Sequence, residues 1–154
     1  MNISDFVSEL GAARLPDVFN PYRDKCPNFD GVNAPSRRRD GLAALLVAAM
    51  AAETDAIWIG RDLGYRGGRR TGLALTDDIH LSNHAVRWNV ELSRATIGEP
   101  VAERTAAVIW RLLDLIDSRI FLWNVFPFHP HEPKDPFTNR AHSSQERGVG
   151  EEFL

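Results

Sequence analysis

A carboxylate, an amide and a group of arginines are the side chains of this sequence whose types and spacing could do chemistry. The apolar run 56–59 ends at Gly60, and Asp62 follows two residues later in a stretch rich in glycine and arginine. A carboxylate just beyond a buried strand can orient a water molecule or stabilise a developing positive charge. A loop Asp can equally well cap the backbone that follows it. The spacing alone leaves these two interpretations even.

Asn124 is the second candidate, because it interrupts the apolar run 120–126 near its end. A side-chain amide has one acceptor and two donors, so it can read an acceptor–donor edge of a nucleic-acid base. Alternatively, neighbouring backbone satisfies it, since an unsatisfied buried amide costs about 1–3 kcal/mol. The position therefore predicts a partner for Asn124 without deciding between structure and function.

The stretch after Gly60 carries four arginines, Arg61, Arg66, Arg69 and Arg70, in a chain whose net charge is −3. Nucleic-acid binding would therefore depend on a local basic patch rather than on global charge. The glycines fit neither the P-loop nor the dinucleotide-binding pattern, which leaves a generic anion-binding loop open. Arginines 37–39 are interpreted as the solvated start of a helix.

Metal chemistry is not predicted. His129 and His131 flank a proline and have no evident third ligand, which argues against a metal site. They are interpreted as loop residues at the rim of a crevice. The single cysteine, Cys26, excludes disulfide frameworks and four-cysteine clusters within this chain. Three phenylalanines nearby have two possible roles, base stacking or core packing: Phe126, for which core packing is the default, Phe128 and Phe137.

Two strands must position the candidate residues. The continuous apolar run 55–60 predicts a strand buried on both faces, which is typical of a parallel sheet covered by helices, and 119–126 predicts a second strand. Helices are predicted over 3–13, from Arg37 to about Ala52 with Ser36 as the cap, from Pro100 to about 117, and after Ser143 as the cap. The alternation of helix and strand predicts an α/β layered fold. Ligands bind such sheets beyond the carboxyl ends of the strands, so Asp62 and Asn124 are expected to face one crevice.

The length of 154 residues and the hydrophobic fraction of 44% predict one domain over residues 1–154. The first residues are polar and acidic, unlike a signal peptide. The longest apolar run, 42–52, is much shorter than the ~20 residues of a membrane span. We therefore expect a cytoplasmic protein without membrane association, whose oligomeric state the sequence leaves open.

The candidate motifs, taken in order, resemble those of the uracil-DNA glycosylase superfamily, in particular a bacterial branch of it. The segment Gly60-Arg61-Asp62-Leu63-Gly64-Tyr65 is similar to the family's first motif, G-Q-D-P-Y-H or G-E-x-P-G. The segment 71–76, Thr-Gly-Leu-Ala-Leu-Thr, resembles the T/H-G-L/I-A/P-F-S/T that follows it, and Leu122-Trp123-Asn124 resembles the family's strand ending in a base-reading Asn. The similarity extends over most of residues 18–147.

The resemblance implies a three-layer α/β/α sandwich with a central, mostly parallel sheet. It also implies an enzyme that flips a base out of single- or double-stranded DNA and hydrolyses its glycosidic bond without metal or cofactor. Asp62 would be the catalytic residue, positioning water and stabilising the oxocarbenium-like sugar. The remaining roles would be base binding by Asn124, Arg61, Tyr65 and Leu75, and phosphate contacts by Arg66, Arg69 and Arg70.

The sequence also departs from the family pattern. Arg61 replaces Gln or Glu, Leu63 replaces Pro, Leu75 replaces the stacking Phe, and Gly64 stands where strict uracil enzymes have a Tyr that excludes thymine. Tyr65 is a displaced candidate for that exclusion. The family's second motif, an H-P-S/T-P-like loop, is absent before Leu154, and we expect that the domain is incomplete at its C-terminus.

Three hypotheses follow from these observations. The first is a glycosylase acting on uracil or a related base in DNA. The second is a non-catalytic nucleic-acid-binding relative, favoured by Arg61, Leu75 and the missing second motif. The third is a small α/β domain that binds a nucleotide or phosphorylated metabolite in the same crevice.

Overall fold

A computed structural model describes residues 2–154 as a mixed α/β fold. The helices are α1 (Ile3–Ala12), α2 (Ala34–Ala51), α3 (Gly68–Thr71), α4 (Leu81–Trp88), α5 (Arg104–Leu113) and α6 (Ser144–Glu151). The strands are β1 (Val18–Phe19), β2 (Ala56–Asp62), β3 (Ile120–Phe126) and β4 (His129–Pro130). Among these residues, no helix is both long and apolar enough to cross a membrane.

The central feature is the parallel pair of β2 and β3, which aligns the two candidate residues. In its register Gly60 lies opposite Asn124, and Asp62 lies opposite Phe126. The two strands therefore end at the same edge, as the sequence predicts. Strands β1 and β4 form a separate antiparallel pair of two residues each.

Strand β3 is buried on both faces because alternate residues enter two hydrophobic clusters. Phe121 and Trp123 pack with residues of α1 and α2, whereas Ile120 and Leu122 pack against α5 around Trp110. The continuous apolar run of β3 thus reflects helices on both of its faces.

The prediction that β2 is buried on both faces is wrong. Ile57 and Ile59 remain 58% and 55% exposed, although they lie opposite Phe121 and Trp123 in the register. Among residues 2–154, β2 pairs with β3 alone, and the two isoleucines line an open apolar hollow beside Phe6 of α1 and Leu46 of α2. The apolar run therefore predicted the strand correctly but not how far its side chains are buried.

Helix α2 begins earlier than the sequence predicts. Helix α2 begins at Ala34, with Asn33 as its N-cap and Pro35 in its first turn, so Ser36 lies inside the helix. Proline suits a first helical turn, where its missing N–H has no partner to lose. The prediction for α6 is confirmed: Ser143 is its N-cap and forms a capping box with Glu146.

Candidate active site

A pocket of about 320 Å³ lies at the C-terminal end of β2. It is lined by Gly60, Arg61, Asp62, Leu63, Gly64, Gly68, Leu75, Glu103, Thr105 and Asn139. Residues from the end of a parallel strand, the glycine-rich loop and the start of α5 thus surround one space. This is the position where α/β folds commonly bind ligands.

Asn124 lies directly behind this pocket. Its side chain is 1% exposed, and neither its Oδ1 nor its Nδ2 has a hydrogen-bond partner among the described residues. Each buried donor or acceptor left unsatisfied costs about 1–3 kcal/mol. Neither backbone nor side chains of residues 2–154 satisfy this amide, so its partner has to be a water molecule or a ligand.

Gly60 and Leu75 separate the amide from the pocket. A Cβ on Gly60 would stand 2.7 Å from Asn124 Oδ1 and 3.1 Å from Leu75 Cδ2. Both distances are too short for an ordinary contact, so any side chain at position 60 would displace its neighbours. Glycine at this position therefore leaves room for the Asn124 amide behind the pocket.

Leu75 has a backbone conformation that is unusual for its residue type. Its φ is +53°, in the left-handed region that leucine seldom adopts. The surrounding hydrogen bonds hold it there: Trp110 Nε1 donates to the Leu75 carbonyl at 3.1 Å, and Thr71 Oγ1 donates to the Thr76 carbonyl at 2.7 Å. Strain maintained by such contacts is common where a side chain must be presented to a ligand.

Asp62 is the last residue of β2, and its carboxylate is held by two basic side chains. Arg61 Nε donates to its Oδ2 at 2.9 Å, and His142 Nδ1 lies 3.2 Å from the same oxygen. The backbone N–H of His142 also approaches that oxygen, at 3.3 Å. These contacts fix the orientation of the carboxylate, and the Asp62 side chain is only 8% exposed.

His142 is a site residue that the sequence reasoning missed. It precedes α6, and its ring packs against Phe126 with the centroids 5.6 Å apart. It lies eighty positions beyond Asp62 in the chain, and no local motif links the two residues. Only the path of the chain after β4 brings them together.

Glu103 is the second residue that was missed. Its carboxyl packs against Gly64 and Gly67, where a Cβ on either glycine would collide with it. Burial raises the pKa of the Glu103 carboxyl, as does the nearby Asp77, while Arg66 acts in the opposite direction. The backbone N–H of Glu103 donates to Asp77 Oδ2 at 2.6 Å, which anchors the residue at the start of α5.

The remaining predicted contacts divide into exposed and buried groups. Arg61 and Arg66 are exposed near the pocket, and Tyr65 is half-buried. The Tyr65 backbone N–H donates to Asn139 Oδ1 at 2.9 Å, which ties the glycine-rich loop to the segment before α6. The side chains of Tyr65 and Arg66 remain available to a ligand, whereas the Arg61 guanidinium is paired with Asp62.

Phosphate binding by Arg69 and Arg70 conflicts with their positions, because both are buried. Arg69 Cζ lies 4.0 Å from the centroid of Phe19 and 4.9 Å from that of Phe137. Arg70 Nε forms an ion pair with Asp78 Oδ2 at 2.6 Å. Such long side chains often pack inside when their charge finds partners, so these two arginines hold the loop rather than face solvent.

Of the two histidines predicted at the rim of the crevice, His131 is half-buried and His129 lies inside the protein. His129 and Phe128 are fully buried, and burial lowers the pKa of His129 to about 3. Its Nε2 lies 2.8 Å from the Thr138 carbonyl. No cluster of potential metal ligands occurs within residues 2–154.

Comparisons with known proteins leave the family open: no family model, curated protein or solved structure matches this chain. Any inference about function therefore depends on the geometry of the pocket.

Proposed function

We propose that this protein is a uracil-DNA-glycosylase-like N-glycosylase, which hydrolyses the bond between a base and deoxyribose in DNA. The observation that carries the proposal is the unpartnered amide of Asn124 behind a pocket that also contains Asp62. A buried amide without partners is costly unless a ligand supplies them. A base edge with one donor and one acceptor is such a ligand.

In this proposal the base leaves the duplex and enters the pocket, at a cost of a few kcal/mol for unstacking. Asn124 pairs with the base edge, and Leu75 packs against the base. Tyr65 limits the size of the base that fits. Arg61 borders the base from its position on Asp62, and the exposed Arg66 contacts a DNA phosphate, whereas Arg69 and Arg70 support the loop.

Asp62 acts on the sugar. Its carboxylate positions a water molecule and stabilises the positive charge that develops as the glycosidic bond breaks. The contacts from Arg61 and His142 fix its orientation before the substrate arrives. Pre-positioning of this kind lowers the reorganisation needed in the transition state. The water supplies the hydroxyl of the product, so the reaction as proposed requires no cofactor.

The proposal extends to the fold. Helices lie on both faces of β3, and this arrangement is compatible with the layering of a three-layer α/β/α sandwich. In that interpretation the β2–β3 pair is part of a larger parallel sheet.

The test is release of free base from an oligonucleotide that contains a single uracil, with the full-length protein. We expect release by the wild type and a loss of at least about 100-fold in Asp62→Asn, the size typical of removing one preorganised catalytic group. Asp117→Asn, which changes an exposed carboxylate in the loop after α5, is the matched control. Undiminished release by Asp62→Asn would remove this residue from the mechanism.

A non-catalytic DNA-binding relative is the second candidate, because Arg61 and His142 already engage the Asp62 carboxylate. Such a protein would bind DNA with an affinity that falls as salt rises. It would release no base from any substrate. Binding without release in the same assay would favour this candidate over the first.

A further inference from the structure

Two carboxyl groups line the pocket at the end of β2, and their surroundings differ. Asp62 is held by the guanidinium of Arg61 and the imidazole of His142. Glu103 is packed against the glycine-rich loop and lines the same pocket. When the surroundings of two acids in one site differ in this way, they commonly divide the roles of acid and base between them.

The groups that face Glu103 come from two segments. Arg66 approaches from the glycine-rich loop, and Asp77 approaches from the segment before α4. Burial is the largest influence and raises the pKa of Glu103, Asp77 adds to the rise, and Arg66 opposes it. The neutral, protonated carboxyl therefore persists to higher pH than in an ordinary glutamate.

We propose that Glu103 is a second catalytic residue, which donates a proton to the departing base while Asp62 acts on the attacking water. This inference rests on the proposed function. Glu103 faces the pocket from the start of α5, whereas Asp62 faces it from the end of β2. A base held by Asn124 would thus have an acid from α5 and a carboxylate from β2 within one pocket.

The step balances as a hydrolysis. The bond between C1′ and the base nitrogen breaks, and its electron pair goes to the base, which takes the proton of the Glu103 carboxyl. The oxygen of water bonds to C1′, and the released proton passes to the Asp62 carboxylate and then to solvent. Glu103 regains its proton from solvent before the next turnover.

This role indicates the substrate class. A base that leaves poorly as an anion gains most from protonation, and a base that already leaves well gains least. The dependence on Glu103 should therefore follow the leaving ability of the base, a dependence that a purely structural contact would not produce.

The experiment uses the full-length protein and compares Glu103→Gln with wild type on two oligonucleotides, one with uracil and one with 5-fluorouracil, a better leaving group. We expect kcat on uracil to fall about 10²- to 10⁴-fold, the usual range for a general acid. The fall on 5-fluorouracil should be smaller. The decline of wild-type activity on the alkaline side should disappear in the variant, because no proton is left to lose at position 103.

Two further variants control for the change of charge and for misfolding. Glu99→Gln changes an exposed glutamate nearby and should leave rates and pH profile unchanged. Glu103→Asp retains an acid and should keep the alkaline decline, so a folding defect of Glu103→Gln is separable from loss of the proton.

The outcomes separate the two proposals. If the wild type releases base and Glu103→Gln matches its kcat, or loses equally on both substrates with the pH profile retained, the role of Glu103 is overturned and the glycosylase proposal stands. If the wild type releases no base from either substrate, both proposals are overturned.

Discussion

Asn124 Oδ1 lies 2.7 Å from the point that a Cβ on Gly60 would occupy, across the parallel pair of β2 and β3. The two residues are direct neighbours in the register, so the absence of a side chain at one gives space to the amide of the other. Glycine is needed at position 60 because a larger side chain would collide with Asn124 and Leu75, and not because of an unusual backbone conformation.

Gly60→Ala should therefore damage the site. The added methyl group must push Asn124 and Leu75 apart, and overpacking of this kind costs about 1–3 kcal/mol of unfolding free energy. We expect that loss in denaturant unfolding, together with loss of base release. Gly148→Ala is the control, because a Cβ there meets nothing within 4 Å and alanine favours a helix. Equal behaviour of the two variants would contradict the contact argument.

Replacement of Asn124 should separate stability from function. Asn124→Leu removes a buried amide without partners, so the free energy of unfolding should stay level or rise by up to about 1–3 kcal/mol. Base release should be lost, since leucine cannot pair with a base edge. Denaturant unfolding and the release assay measure the two effects on the same preparation.

Asn20 provides the contrast for that experiment. It is also buried, but its Nδ2 donates to the carbonyls of Leu10 and Ala13, and its Oδ1 accepts from the Tyr22 N–H. Asn20→Leu breaks these bonds and should destabilise the protein by several kcal/mol. A comparable loss of stability in Asn124→Leu would mean that its amide is satisfied in solution, which would remove the main support for base recognition.

The sequence predicted the parts of the site that depend on strand endings. A continuous apolar run is typical of a parallel strand, and its carboxyl end lies at a known edge. The sequence therefore placed Asp62 and Asn124 at the same end of two paired strands, although only Asp62 lines the pocket there. The mixed α/β class and the capping of α6 by Ser143 followed from equally local rules.

The sequence could not predict which arginines are buried, or which residues from distant parts of the chain reach the pocket. Arg66 and Arg69 are three residues apart, yet one is exposed and the other packs between Phe19 and Phe137. Their difference is set by the segments that fold over the loop, which no local pattern encodes. His142 and Glu103 reach the pocket for the same reason.

The two arginines should therefore respond differently to substitution. Arg66→Ala removes an exposed charge, so stability should change by less than about 0.5 kcal/mol. The salt dependence of DNA affinity should fall by about one unit of slope, as expected for one lost phosphate contact. Arg69→Ala removes a buried side chain with two aromatic contacts and should destabilise the fold by about 2 kcal/mol or more. Arg111→Ala, on exposed α5 surface, is the control for charge alone.

The buried histidine of α4 makes stability depend on pH. His84 packs against Trp110, its Nδ1 lies 3.0 Å from Thr76 Oγ1, and its Nε2 has no partner among residues 2–154. Burial lowers the pKa of His84 from 6.5 to about 3, and Arg87 adds to the effect. The unfolded chain therefore binds a proton between these values that the folded protein excludes.

The sign of the effect follows from that difference. The contribution of His84 is complete above pH 6.5 and is lost as the pH falls towards 3, at up to about 1.4 kcal/mol per pH unit. Unfolding free energies measured from pH 7 to pH 4 should decline, and His84→Leu should flatten part of that decline. Part of the decline should remain in His84→Leu, because burial also lowers the pKa of His129. An identical slope in wild type and His84→Leu would show that His84 is hydrated enough to take up its proton in the folded state.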